Sequence, residues 1–91
     1  MKTYRIIGKT NGWIAQRDMK FNGKTEITIR EHLTLKEAKN LMIDFYNEDY
    51  ETYYPNWGLI VAHDHFNAGT DSDGLYYYEY DSRVYRIEEE N

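Results

Sequence analysis

Apolar and polar residues alternate over most of the first thirty positions, the pattern of strands with one covered face. Two Asn-Gly pairs, Asn11-Gly12 and Asn22-Gly23, punctuate the alternation. Both residue types tolerate the positive φ of a tight turn, so Asn-Gly between strand-like runs is a strong hairpin signal. A two-residue turn at Asn11-Gly12 sets Thr10 opposite Trp13, Gly8 opposite Ala15, Ile6 opposite Arg17 and Tyr4 opposite Met19. On the other face it pairs Arg5 with Asp18. A three-residue loop, Phe21-Asn22-Gly23 with Gly23 left-handed, keeps the next strand in phase, so that Met19 faces Thr25, Arg17 faces Ile27 and Ala15 faces Ile29. The expected result is a three-stranded meander with Tyr4, Ile6, Trp13, Ala15, Met19, Ile27 and Ile29 on one face. Arg17 has no explanation in that register.

The period then changes to that of a helix. Thr34-Leu35-Lys36-Glu37 is a capping box, in which the Thr34 hydroxyl accepts from the Glu37 amide and the Glu37 carboxylate reaches back to Thr34. Leu35, Ala38, Leu41, Met42, Phe45 and Tyr46 follow as one apolar stripe, which predicts a helix over residues 35–49 packed on the meander. Pro55 forbids its continuation. Trp57–Ala62 is apolar on both faces and reads as a central strand. Asn67–Gly74 reads as a polar loop. Leu75–Tyr80 and Arg83–Glu88 read as strands around a tight turn at Asp81-Ser82, with Tyr76, Tyr78 and Tyr80 on one face. Residues 88–91 read as a frayed tail. The expectation is one α+β domain spanning residues 1–91, an antiparallel or mixed sheet in βββ-α-βββ order with one amphipathic helix across one face.

Composition narrows the function classes. At 41% hydrophobic with 30% charged residues, the 91-residue chain can build one modest core and is not of disordered type. No apolar run reaches the roughly 18–20 residues that span a bilayer. The N-terminal apolar stretch is short and carries Arg5, unlike a secretory leader, so a cytoplasmic protein is expected. The absence of cysteine removes disulfides, thiolate nucleophiles and thiolate metal sites. Residues 1–39 hold nine Lys/Arg and four Asp/Glu, whereas residues 40–91 hold two and twelve, a basic first part and an acidic second part within a net charge of −5.

Chemistry-bearing constellations are few. His63 and His65, two apart on a strand, would point to one side, and Asp71 and Asp73 could complete a nitrogen–oxygen site for a transition metal. Asp71-Ser72-Asp73-Gly74 lacks the glycine spacing and closing glutamate of an EF-hand. There is no nucleophile elbow and no phosphate-binding glycine loop, so catalysis finds no support and no cofactor is implied. The basic residues Lys2, Arg5, Lys9, Lys20, Lys24 and Arg30 fall on the expected meander, whose open face would suit a single-stranded nucleic acid; the net negative charge opposes that role.

The feature that points furthest is the acidic, tyrosine-laden second half. The chain holds ten tyrosines. Tyr46, Glu48, Asp49, Tyr50, Glu51, Tyr53 and Tyr54 cluster at the helix end, and Tyr76, Tyr78, Glu79 and Tyr80 on the following strand. Tyrosine offers large contact area at low entropy cost and keeps a polar tip, and carboxylates around it steer a basic partner. The leading expectation is therefore a non-enzymatic protein that binds another protein with a basic surface. A narrower form is an antagonist whose carboxylates occupy a phosphate site on a nucleic-acid-binding protein. Exposed tyrosine strands would also suit pairing into a homodimer.

Overall fold

The computed structural model describes residues 1–53 and 66–91, with the Tyr53 side chain outside the described set. The expected central strand at Trp57–Ala62 lies outside the described residues. The elements are β1 (Tyr4–Lys9), α1 (Gly12–Arg17), β2 (Glu26–Leu33), α2 (Leu35–Tyr53), β3 (Phe66–Thr70), β4 (Tyr76–Tyr80) and β5 (Arg83–Glu89). Among the described residues the five strands form one sheet in the order β2-β1-β5-β4-β3, and every neighbouring pair is antiparallel. One long helix, α2, crosses one face of this sheet, so the molecule is α+β, with strands on both sides of that helix in sequence.

The expected meander is corrected at its middle strand. Residues 12–17 are helical, and β1 pairs directly with β2, Gly8 opposite Ile27 and Lys9 opposite Glu26. The Asn11-Gly12 signal acts as a helix start instead of a turn. Asn11 Oδ1 accepts the Ile14 amide at 2.9 Å, satisfying an amide that the first helical turn leaves without a partner. Arg17 is thereby explained: its guanidinium lies 3.2 Å from the centre of the Trp13 ring and donates to the Trp13 carbonyl. The excursion buries Phe21 against Tyr85, ring centres 6.2 Å apart, where a hairpin would have left it at an exposed tip. Gly23 is left-handed as expected (φ +84), and Asn22 joins it (φ +50). Asp18 pairs with Arg83 at 2.6 Å, while Arg5 pairs with Glu88 at 2.6 Å.

The capping box forms as expected. Thr34 Oγ1 accepts the Glu37 amide at 3.1 Å, and Glu37 accepts the Thr34 amide at 3.0 Å. From that start α2 runs to Tyr53, one turn beyond the expected end, because Tyr50 extends the apolar stripe onto Phe66 with ring centres 5.2 Å apart. Ala38 and Met42 are buried under the helix, above Ile6, Tyr78, Tyr85 and Ile87 of the sheet. Gly8 lets the Tyr85 ring lie over β1: a Cβ there would sit 3.1 Å from the ring.

Two further corrections concern the second half. Residues 67–70 of the expected loop belong to strand β3, and the turn proper is at 71–75, closed by Asp71 Oδ1 accepting the amides of Asp73 and Leu75. The tail is not frayed. β5 lies in the middle of the sheet with its end paired to Tyr4 and Arg5, and the Glu90 amide donates to the Thr3 carbonyl at 2.9 Å. The β4–β5 turn has both Asp81 and Ser82 at positive φ, as a tight hairpin requires.

Candidate functional site

Tyrosines build the interior. Tyr78 stacks on Tyr85 at 4.8 Å and on Phe66 at 5.8 Å, and Tyr46 of α2 meets Tyr78 edge-on at 5.5 Å. The Tyr78 hydroxyl donates to Asp49 Oδ2 at 2.6 Å, and Lys20 holds the other oxygen at 3.4 Å. Burial, then the hydrogen bond to Asp49, pushes the Tyr78 hydroxyl far above its ordinary pKa, and burial with the nearby Asp49 charge pushes Tyr80 up to about 12. Burial likewise raises Tyr85. All three stay protonated through the physiological range, so the interior carries no tyrosinate charge.

This layer decides where the expected partner-binding residues stand. Tyr78 and Tyr80 are 1% and 8% exposed, so their rings are core and offer no docking surface. Tyr46, Tyr50 and Tyr76 are half-buried against the same core. Asp49 is committed to Tyr78 and Lys20. Glu48 and Glu51 are exposed on α2, and Glu79 is exposed on β4, accepting from Asn67 at 3.2 Å. The Tyr53 side chain, Tyr54, His63 and His65 lie outside the described residues. Asp71 and Asp73 are exposed in the β3–β4 turn, where one oxygen of Asp71 is taken by two backbone amides.

The basic residues expected on an open meander are dispersed. Lys2 meets Glu89 at 3.5 Å, Arg5 meets Glu88, Lys9 meets Glu26 at 3.9 Å, and Lys20 meets Asp49. For Lys2 and Arg5 the cause is topological: β5 from the acidic half is inserted beside β1 from the basic half. Pairing of this kind lowers the positive potential that a phosphate backbone would meet.

A different surface comes forward at the far side of the sheet. β3 starts under α2, where Phe66 is buried, and then leaves the helix, so that Asn67, Ala68, Gly69 and Thr70 are exposed. Ala68 stands opposite Tyr78 and Thr70 opposite Tyr76 on the helix-covered face, small side chains beside large ones. The step between them opens a groove of about 380 Å³. Met42, Ile43 and Tyr46 of α2 form one wall, Ala68 to Thr70 the other, and Tyr76 to Tyr78 the floor. Ile43 is 45% exposed at the rim, and the Lys39 ammonium lies 5.0 Å from the Tyr76 ring at one end. Among the described residues no carboxylate or imidazole lines the groove, and its lining offers apolar contact.

Among the described residues no strand pairs with the outer edge of β3 at Asn67–Thr70, a stretch with no charged residue and no proline. The opposite edge, β2, carries Glu26, Arg30 and Glu31 and is irregular near His32, features that obstruct pairing with another strand. Among the described residues the two edges therefore differ in openness. Sequence reasoning missed this site because Asn67–Thr70 resembles a loop in composition; the available signal was a run of small residues facing alternate tyrosines. No described helix is long and apolar enough to cross a membrane. No family model, no curated protein and no solved structure matches the chain.

Proposed function

We propose that this is a non-enzymatic protein-binding protein that takes an extended segment of a partner along the outer edge of β3, with apolar side chains of that segment entering the groove between α2 and β3. The observation that carries the reading is the conjunction of an uncharged sheet edge, at Asn67–Thr70 paired with no strand among the described residues, with an adjoining apolar groove. Edge pairing supplies backbone hydrogen bonds, and pockets for every second side chain supply selectivity. Ala68 and Thr70 sit two apart on the covered face, so the segment presents two apolar side chains in an x-apolar-x-apolar pattern. Asp44, Glu48 and Glu51 lie exposed along α2 and favour a partner with basic residues flanking that segment. Antagonism of a nucleic-acid-binding protein is the narrower form of this reading, tested by competition with the partner's nucleic acid.

The test is selection from a displayed peptide library, followed by measurement of the selected peptides in solution. Selected sequences should share the alternating apolar pattern with basic flanks. Ala68→Trp, which fills the groove from an exposed position, should weaken binding at least tenfold, and Asp44→Lys with Glu48→Lys should weaken it most at low salt. Equal binding to Ala68→Trp, or no enrichment, overturns the reading.

A further inference from the structure

β2 loses its regular register where it passes the start of β1. Between the pairs Tyr4–Leu33 and Ile6–Arg30, β2 uses one residue more than β1, and His32 within that bulge takes a left-handed φ of +59. Glu90 holds the bulge. Its Oε1 accepts the His32 amide at 2.8 Å, and its own amide is fixed to the Thr3 carbonyl at 2.9 Å. The second oxygen of Glu90 is thereby aimed along the imidazole. Oε2 of Glu90 lies 3.3 Å from Nδ1, and Oε1 of Glu31 lies 3.9 Å from Nε2. One donor atom from each of the three residues lies within 4.8 Å of the other two.

An imidazole binds an ion in its plane through one nitrogen, so the separation that suits a shared ion is that between Nδ1 and Glu90 Oε2, with a Glu31 carboxylate oxygen within 4.8 Å as the third donor. A charge-assisted hydrogen bond between imidazolium and carboxylate runs at about 2.7–2.9 Å, shorter than the Nδ1–Oε2 distance. Two donors at about 2.0–2.2 Å on one tetrahedral ion are roughly 3.3–3.5 Å apart. Glu90 is the anchored member, its side chain only 14% exposed, whereas His32 and Glu31 face solvent, so an ion has an open approach and water can complete its shell. The backbone bond on Oε1 orients the carboxylate as an outer-shell contact does in established metal sites. Arg5 pairs with Glu88 and Lys2 with Glu89.

We propose that Glu31, His32 and Glu90 form a binding site for a divalent transition-metal ion of the zinc class, which clips the bulged edge of β2 to the residue that follows β5. One imidazole with two carboxylates matches the preference of zinc and cobalt(II), and the nitrogen donor disfavours calcium and magnesium. The site uses one of the chain's three histidines.

The test is calorimetric titration of the full chain with zinc at neutral pH, repeated with cobalt(II) and read by visible absorption. One equivalent should bind, and zinc should raise the thermal midpoint. His32→Asn keeps a residue tolerant of positive φ and removes the imidazole; it should weaken binding at least tenfold and abolish the thermal shift. Glu31→Gln, a change at an exposed side chain, should weaken binding in the same direction. The double variant His63→Ala/His65→Ala should bind as the unaltered chain does. The proposal is overturned by absent uptake at millimolar zinc, by uptake undiminished in His32→Asn, or by uptake lost in the His63/His65 double variant.

Discussion

At the scale of single residues, the tyrosine hydroxyls connect the interior to pH. Tyr78, Tyr80 and Tyr85 all have folded pKa values above the ordinary 10.0, with burial the largest cause for each. A group whose folded pKa is raised stabilises the fold fully below its unfolded pKa, and that contribution is lost as pH rises through the folded value. Stability should therefore fall steeply as pH climbs from about 10, because the unfolded chain releases phenolic protons that the folded chain retains. Tyrosinate absorbance should rise in two phases, exposed rings first and buried rings only together with loss of near-ultraviolet dichroism. A single phase that finishes before unfolding would contradict the buried placement of these three side chains.

At the scale of elements, legibility depended on how many independent signals agreed. α2 was legible because a capping box, a helical apolar period and a downstream proline all point to one helix. Thr34→Ala should cost about 1 kcal/mol in chemical denaturation, and Thr34→Ser should restore most of it. α1 was hidden because Asn-Gly serves equally as a tight turn and as a helix start; what decided between them was the burial of Ala15 and Phe21 against distant residues, which local pattern does not encode. β3 was hidden for a related reason. Asn67, Ala68 and Gly69 have poor strand propensity, and their place follows from pairing with Glu79, Tyr78 and Tyr77. The candidate groove was illegible on the same account, since it exists only where those small residues meet the tyrosines and α2. Tyr78 and Tyr80 are buried, which the sequence does not reveal because alternation along a strand identifies a shared face without saying whether that face is covered.

At the scale of the whole molecule, the order β2-β1-β5-β4-β3 explains why the charge separation along the chain does not persist in space. The acidic end of β5 lies against the basic start of β1, through Arg5–Glu88 and Lys2–Glu89. Removing residues 88–91 should therefore cost about 2–3 kcal/mol, since it deletes ladder hydrogen bonds as well as the ion pairs, each backbone bond contributing about 1 kcal/mol net. Urea unfolding of the truncated chain checks this, and an unchanged midpoint would mean that the segment is dispensable.

The middle position of β5 also sets a timetable for a chain growing on a ribosome. β1 and β2 can meet early, but the β4–β3 pair has no seat beside them until β5 arrives, and Arg5 waits for a residue 83 positions later. The described strands are thus joined into one sheet only by β5, so chains made short of it carry an open β1 flank and are the species most in need of protection while synthesis continues.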